Sequence, residues 1–224
     1  MSGSCFWSHN DSNQAAAGST IPLKIEKGWG MHEKGNNKSL MWPQEIQIDP
    51  SLSITVLAVG HTEKIFALID ENREYLARWL PWVDETRCVD DTRNHILKAP
   101  VQLQQGTDVN YVIKFNHAIV GRVGFHYVEP FSGAGRLGYW LSEESQGRGI
   151  MSRVCNSLTE EALCRQGIRR VEIRCAVENS QSRRIPERLG YRFHGFRKEA
   201  ECLRGRYVDH AVYFAEWDWW VSSC

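Results

Sequence analysis

The chain has 224 residues, 42% of them hydrophobic and 24% charged, which is enough for one good-sized domain with a real core plus an extension. Its 27 basic and 27 acidic residues cancel to a formal net charge of +0, which argues against whole-protein attraction to nucleic acid or to a membrane and leaves only a local basic patch. Seven widely spaced cysteines without a C-x-x-C pair exclude a disulfide framework and a structural zinc site, and no apolar stretch is long enough to span a bilayer.

In chain order, residues 1–42 are polar and rich in Gly, Ser and Asn, and they are expected to form a mostly disordered extension to a domain spanning residues 43–224. Trp7, Trp29 and Trp42 are its exceptions and are candidates for docking on the domain, while Cys5, His9 and His32 match no metal-ligand spacing. The first residues have neither a basic n-region nor an apolar h-region, so no signal peptide is expected, and the thiol pattern suits a reducing cytoplasm. Glu45 to Ala58 reads as strand material interrupted at Pro50-Ser51. A helix opens near Thr62 with Ile65, Phe66, Leu68 and Ile69 on its apolar face, and a second helical piece from Asn72 ends before Pro81. That piece carries Tyr75, Trp79 and Trp82, aromatics that serve either a core or the wall of a substrate cleft. Cys88 to Leu103 reads as a third helix disturbed at Pro100.

Asn110 to Phe115 and Ala118 to Val128 form a hairpin around Asn116-His117, and Arg136 to Leu141 is the next strand. Met151, Val154, Cys155, Leu158 and Ala162 recur at helical spacing up to a stop at Gly167. Val171, Ile173, Cys175 and Val177 alternate with Glu172, Arg174 and Ala176, as a strand requires. A short helix over Arg183 to Leu189, two strands around Arg204-Gly205 and a tail from Trp217 complete the chain. The order predicts an α+β or mixed α/β fold, one sheet of six or seven strands with helices on its faces.

Between the strand ending at Leu141 and the following helix lies Gln146-Gly147-Arg148-Gly149-Ile150-Met151. A helix start leaves amide N–H groups unpaired and carries partial positive charge, and glycines let an anion come close to that backbone. The stretch can therefore cradle a phosphate or pyrophosphate. It lacks the third glycine of G-x-G-x-x-G, and no G-x-x-x-x-G-K-[ST] occurs, which sets aside the dinucleotide fingerprint and the P-loop.

The loop instead resembles the Gln/Arg-x-x-Gly-x-Gly/Ala pattern that holds the pyrophosphate of acetyl-CoA in the GNAT N-acetyltransferases, with Met151 departing from the small last residue. Gly138-Tyr-Trp-Leu141 before it, the Asn179-Ser-Gln-Ser182 turn, Glu187-Arg-Leu-Gly-Tyr191, the Asn72 to Trp82 segment and Tyr207-Val-Asp-His210 are similar to the RimJ/RimL branch, acetyltransferases of ribosomal-protein N-termini in which Met at that position is usual. The resemblance covers about residues 45–217 and implies a central, mostly antiparallel sheet. It also implies a cytoplasmic enzyme that uses acetyl-CoA as cosubstrate without a metal and transfers acetyl to an amine by direct attack in a ternary complex. The acceptor is most simply the α-amino group of a protein, with no nucleic acid or membrane partner and a homodimer left open.

The same resemblance assigns roles. Backbone groups of Tyr139, Trp140 and Leu141 would pair with the pantetheine arm, and one N–H would polarise the thioester carbonyl. The amides of Gln146, Gly147, Arg148, Gly149, Ile150 and Met151 would hold the pyrophosphate, with Arg148 adding charge, and Asn179 would meet the pantetheine. Arg183 and Arg184 are either a 3′-phosphate contact or plain surface charge. Many GNAT enzymes use a tyrosine acid where this chain has Pro186; in the RimL branch a serine is implicated, here Ser182, which otherwise reads as a helix N-cap. An α-amino group ordinarily titrates near ~8, against ~10.4 for lysine, so a weak base suffices. Glu129, Asp108 and His126 are the candidates, with Glu129 preferred. Tyr75, Trp79 and Trp82 are the candidates for acceptor binding. The alternatives are an acetyltransferase of small amines, antibiotics or aminoacyl-nucleotides, and a non-catalytic module that binds acetyl-CoA.

Overall fold

The computed structural model describes residues 41–129 and 133–220, with the side chains of residues 127–129 outside that description. Trp7, Trp29, Cys5, His9, His32 and Cys224 lie outside the described residues.

Eight strands form one sheet in the order β1-β2-β3-β4-β5-β6-β8-β7, one strand more than the upper expectation. The extra strand comes from the first segment, which divides into β1 (Glu45–Asp49) and β2 (Leu52–Val56). Asp49 explains the division: its Oδ1 accepts from the Ser51 amide at 2.8 Å and hydroxyl at 2.7 Å, closing a turn at Pro50. β3 (Val109–Phe115) and β4 (Ala118–Glu129) meet at Asn116 and His117, whose φ values of 48° and 68° are those of the tight turn that matches strand twist. β5 (Ala134–Leu141), β6 (Arg170–Ala176), β7 (Arg192–Leu203) and β8 (Arg206–Glu216) complete the sheet. Every pairing is antiparallel except β5 with β6, which needs a crossover and receives one through α5 (Ile150–Glu160).

Each strand turns alternate residues to opposite faces. On the first face, Tyr111, Phe125, Tyr139, Ile173 and Tyr213 pack with Ile150, Val154 and Leu158 of α5 and Ile185 of α6 (Ser180–Arg188). Trp42 joins this core and stacks on Phe125 with ring centroids 5.2 Å apart. The second face carries α1 (Thr62–Glu71), α2 (Arg73–Leu76), α3 (Val89–Ile96) and α4 (Ala99–Gln105), whose Ile65, Ile69, Leu76, Ile96 and Ala99, with Leu80 from the turn after α2, close on Val112 and Trp140.

Two sequence expectations are corrected. The expected helix from Cys88 to Leu103 is two helices, because Pro100 lacks the N–H that would continue α3 and instead opens α4. The expected tail at Trp217 contains a helical turn, α7 (Trp217–Trp220), pinned by a buried Trp220 whose ring meets Tyr191 edge-on at 5.7 Å.

Candidate active site

β5 and β6 pair only at Ala134–Arg170, Gly135–Val171 and Arg136–Glu172. Beyond that rung they part. Leu137 to Leu141 stay paired with β4, and Ile173 to Ala176 stay paired with β8. A V-shaped gap therefore opens toward the carboxyl ends of two parallel strands, bordered by backbone that no strand of the described residues covers. Backbone donors and acceptors exposed in this way are suited to an extended polar ligand.

The loop from Ser142 to Gly149 closes the open end. The Ser142 amide donates to Val120 O at 2.8 Å, and the Ser142 hydroxyl donates to Ser145 Oγ at 2.8 Å. From the far side Asn72 Oδ1 accepts the Glu143 amide at 2.8 Å, which ties the loop to the junction of α1 and α2. Gly147 and Gly149 take φ of 71° and 68°, Gly149 is the N-cap of α5, and no heavy atom lies within 4 Å of a Cβ built at either. The backbone is thus turned outward with clear space before it. Ile150 and Met151 bury their side chains in the first-face core, so their amides belong to the helix start. Arg148 is exposed, with its guanidinium 6.0 Å from the Phe115 ring centroid.

On the β6 side of the gap, Asn179 is buried and caps α6, its Oδ1 accepting the Ser182 amide at 3.2 Å. Ser182 is therefore not the cap. Its hydroxyl, at 0% exposure, donates to Tyr139 OH at 3.3 Å, and the tyrosine hydroxyl donates to Ser182 O at 3.3 Å. A side chain of β5 and one of α6 thus meet through their hydroxyls. Pro186 sits inside α6 and is buried. Arg183 is held by Tyr213 OH at 3.0 Å and Val177 O at 3.3 Å, which makes it a structural contact, while Arg184 is exposed.

The second face beside the gap is ionic. His126 Nδ1 lies 2.7 Å from Asp108 Oδ1. Arg136 Nε donates to Glu172 at 3.3 Å, Arg174 pairs with the same carboxylate, and His210 faces Glu201 at 3.4 Å. Arg122, fully enclosed, reaches Asn110 Oδ1 at 3.3 Å and His95 at 3.3 Å, and burial pushes its guanidinium down to about 9. Burial, followed by the charges of Arg174 and Arg136, pushes His210 down to about 4. Sequence reading named Asp108 and His126 separately but missed their pairing, as it missed Glu201 and the Arg136–Glu172–Arg174 chain. The available signal was the alternation that put Glu172 and Arg174 opposite the apolar residues of β6.

Of the aromatic candidates, Tyr75 is buried with Leu76 and Leu80. Trp79 packs on Ala176, Leu203 and Val208 at the end of β6, and Trp82 is half-buried with its ring 6.4 Å from Trp140. The side chain of Glu129 lies outside the described residues.

A parallel pair split at one rung, a glycine loop at the split and a helix start behind it are the parts the sequence resemblance requires. The family described as acetyltransferase (GNAT) domain matches residues 52–192. The chain belongs to the GNAT acetyltransferase family. It is 29% identical over 170 residues to the ribosomal-protein-serine acetyltransferase of Escherichia coli (strain K12), covering 76% of this chain and 95% of that protein. Among solved structures, RimL, the ribosomal L7/L12 alpha-N-protein acetyltransferase in complex with coenzyme A, superposes with a TM-score of 0.76 at 30% identity, over 78% of this chain and 98% of that one. The microcin C7 self-immunity acetyltransferase MccE, in complex with acetyl-CoA and AMP, superposes with a TM-score of 0.75 at 26% identity over 80% and 98%. The GNAT chain described here is accordingly an acetyl-CoA-dependent N-acetyltransferase.

Proposed function

We propose that this chain transfers acetyl from acetyl-CoA to the α-amino group at the N-terminus of a protein, with ribosomal proteins as the acceptor class and the cytoplasm as its place of work. The observation that carries the reading is the likeness to ribosomal-protein acetyltransferases over nearly their whole length, 95% of the Escherichia coli protein and 98% of RimL. The catalytic domain is residues 43–224, and residues 1–42 are an extension whose last residue, Trp42, docks in the domain's core. The backbone of Tyr139 to Leu141 lines the acyl-bearing arm, the amides of Gln146 to Met151 hold the pyrophosphate, and Asn179 orients the turn that presents Ser182. The amine nitrogen attacks the thioester carbon, the C–N bond forms as the C–S bond breaks, Ser182 passes a proton to the leaving thiolate, and the proton released by the acylated nitrogen restores the serine hydroxyl. Trp79 and Trp82 flank the acceptor's path on the second face. If the enzyme forms a homodimer, the exposed Phe193 and Phe196 on edge strand β7 are the apolar surface it would cover.

The test is incubation with radiolabelled acetyl-CoA and either purified ribosomal proteins or a panel of small amines, amino sugars and aminoacyl-nucleotides. Label at the N-terminus of a ribosomal protein, located by mass spectrometry, supports the reading. Turnover confined to small amines overturns it.

A further inference from the structure

Asn72 separates α1 from α2, with φ of −110° and ψ of 15°. Its side chain bonds in two directions. Nδ2 donates to Leu68 O at 2.8 Å, which fixes the carboxamide plane, and Oδ1 accepts the Glu143 amide at 2.8 Å. Glu143 begins the helical turn Glu143–Ser145 that opens the loop at the gap, and the side chain of its own N-cap, Ser142, makes no capping bond. Asn72 satisfies that first amide instead, from 71 residues away in the chain.

Arg73, the next residue, holds a different segment. Its Nη1 donates to Val83 O and its Nη2 to Thr86 O, both at 2.8 Å. Asp70 Oδ1 accepts from Nε at 3.1 Å and from Nη2 at 2.9 Å. A planar guanidinium fork reaches two carbonyls and a carboxylate at once, which an ammonium on a single stem does not. The segment held in this way crosses the open V on the second face. Trp82 lies against Trp140 of β5, and Trp79 packs on Ala176, the last residue of β6, together with Leu203 and Val208. Beyond it, Arg204 of the β7–β8 turn meets both carboxylate oxygens of Asp84, at 2.7 and 2.8 Å. Residues 79–86 thus form a strap from one lip of the gap to the other.

We propose that Asn72 and Arg73 are positioning residues that join the donor loop to this strap, so that a filled donor loop tightens the hold on the acceptor. This rests on the donor and acceptor reading above and names the residues through which the two half-sites act together. The strands need not move. Asn72 and Arg73 share one peptide bond, so a shift of the Glu143 turn that carries the Asn72 carboxamide with it also moves the root of the Arg73 fork. The position of that root decides whether Val83 O and Thr86 O are both reached. An anion on the loop holds the Glu143 turn, the turn holds the joint, and the strap is in place before the acceptor arrives, which removes an ordering cost from acceptor binding. Linkage makes the effect reciprocal: a bound acceptor tightens the donor by the same factor. The other link between strap and sheet, the ring of Trp82 on Trp140, ends on a strand pinned by β4 and does not reach the loop.

The experiment is calorimetry on the full chain. The Kd of coenzyme A, which cannot react, is measured alone and with saturating acceptor, either a Ser-initiated peptide or whichever of a panel of small amines is turned over. Acceptor is expected to tighten coenzyme A by about 5- to 150-fold in the wild type. Arg73→Lys is expected to leave the Kd for coenzyme A alone unchanged, to raise the acceptor KM with little effect on kcat, and to reduce the coupling below about twofold. Asn72→Ala is expected to weaken coenzyme A alone as well and to lose the coupling. Arg93→Gln breaks an ion pair with Glu63, between α1 and α3, that reaches neither segment, and is expected to keep the coupling. Arg73→Gln and Asn72→Ser serve if the first variants are unfolded by circular dichroism. A wild type without coupling, or a folded variant at position 72 or 73 that keeps it within about twofold of wild type, overturns the proposal. Failure of the wild type to bind coenzyme A overturns the donor reading and the proposal with it. An inert peptide beside a turned-over small amine overturns the protein-acceptor reading, while the coupling is still read on the amine. No turnover on any amine overturns both.

Discussion

Replacing Gly149 with glutamate strikes the anion cradle at its centre. The residue has φ of 68°, and a Cβ there has nothing within 4 Å, so the folded chain meets no steric clash, only the left-handed backbone penalty. That penalty is about 1–2 kcal/mol. A carboxylate at a helix N-terminus offsets about 0.3–1 kcal/mol of it. With pyrophosphate on the loop, the same carboxylate stands roughly 5 Å from a phosphate charge, and at an effective dielectric near 20 the repulsion is about 3 kcal/mol. That corresponds to a loss on the order of 100-fold in Kd. Gly149→Ala carries the backbone penalty without the charge and separates the two effects. Calorimetric titration with coenzyme A should show the glutamate variant weakened by about that factor and the alanine variant by less than about tenfold, both melting only a few degrees below wild type. A folded Gly149→Glu protein that binds coenzyme A within about threefold of wild type would refute the placement of the pyrophosphate.

Ser182→Ala removes the hydroxyl that meets Tyr139 but leaves the Asn179 cap intact. Urea unfolding should show a loss near 1 kcal/mol, with kcat reduced at least tenfold and acetyl-CoA affinity unchanged; equal proportional losses would mean the serine only packs. Gly124→Ala would put a Cβ 2.3 Å from Val109 O, a backbone atom that cannot swing aside, whereas Gly60 has open space. The former should destabilise by about 1–3 kcal/mol or more, read as a fall in Tm, and Gly60→Ala should not. His210 is held neutral, with its pKa depressed to about 4 by burial first. The unfolded chain therefore binds the extra proton below about 6.5, so this histidine's contribution is intact above that pH and is lost as pH falls toward 4, on the order of 3 kcal/mol in all. Unfolding free energies at pH 7 and pH 4.5 should differ less in His210→Gln than in wild type.

The strand, glycine loop and helix start proposed to hold the donor were legible as local structure, because their determinants are local. A strand ending at Leu141, glycines at 147 and 149 and an amphipathic run from Ile150 specify a strand, a turned-out loop and a helix start within about a dozen residues. The split between β5 and β6 was not legible from pattern, because it depends on pairing between segments more than thirty residues apart and entered only through resemblance. Long-range side-chain pairs were lost for the same reason. Asp108 and His126 are 18 residues apart, and they meet because the hairpin turn at Asn116-His117 sets the register that faces them. Ser182 was read as either a cap or an acid, and only the Asn179 side chain, three residues earlier, decides that the cap is elsewhere.

One strand, β5, does three things at once, and its register is what keeps them together. Its odd residues, Leu137, Tyr139 and Leu141, fill the first-face core, its even residues, Arg136, Gly138 and Trp140, look onto the second face, and the backbone edge between them borders the gap. A slip of one residue would exchange core for acceptor face along the whole strand. The neighbour that resists such a slip is β4. At Gly121 a Cβ would lie 2.2 Å from Trp140 O, so that backbone approach exists only for a glycine, and the Ser142 amide bonds Val120 O immediately beyond. Toward the other end the Arg136–Glu172 pair ties the last closed rung to β6. The donor site is thereby fixed by backbone packing that is insensitive to what the second face carries. On the proposed acceptor path, substitutions at Trp79 or Trp82 are therefore expected to alter which amine is accepted while the loop at Gly147 to Gly149 keeps its geometry.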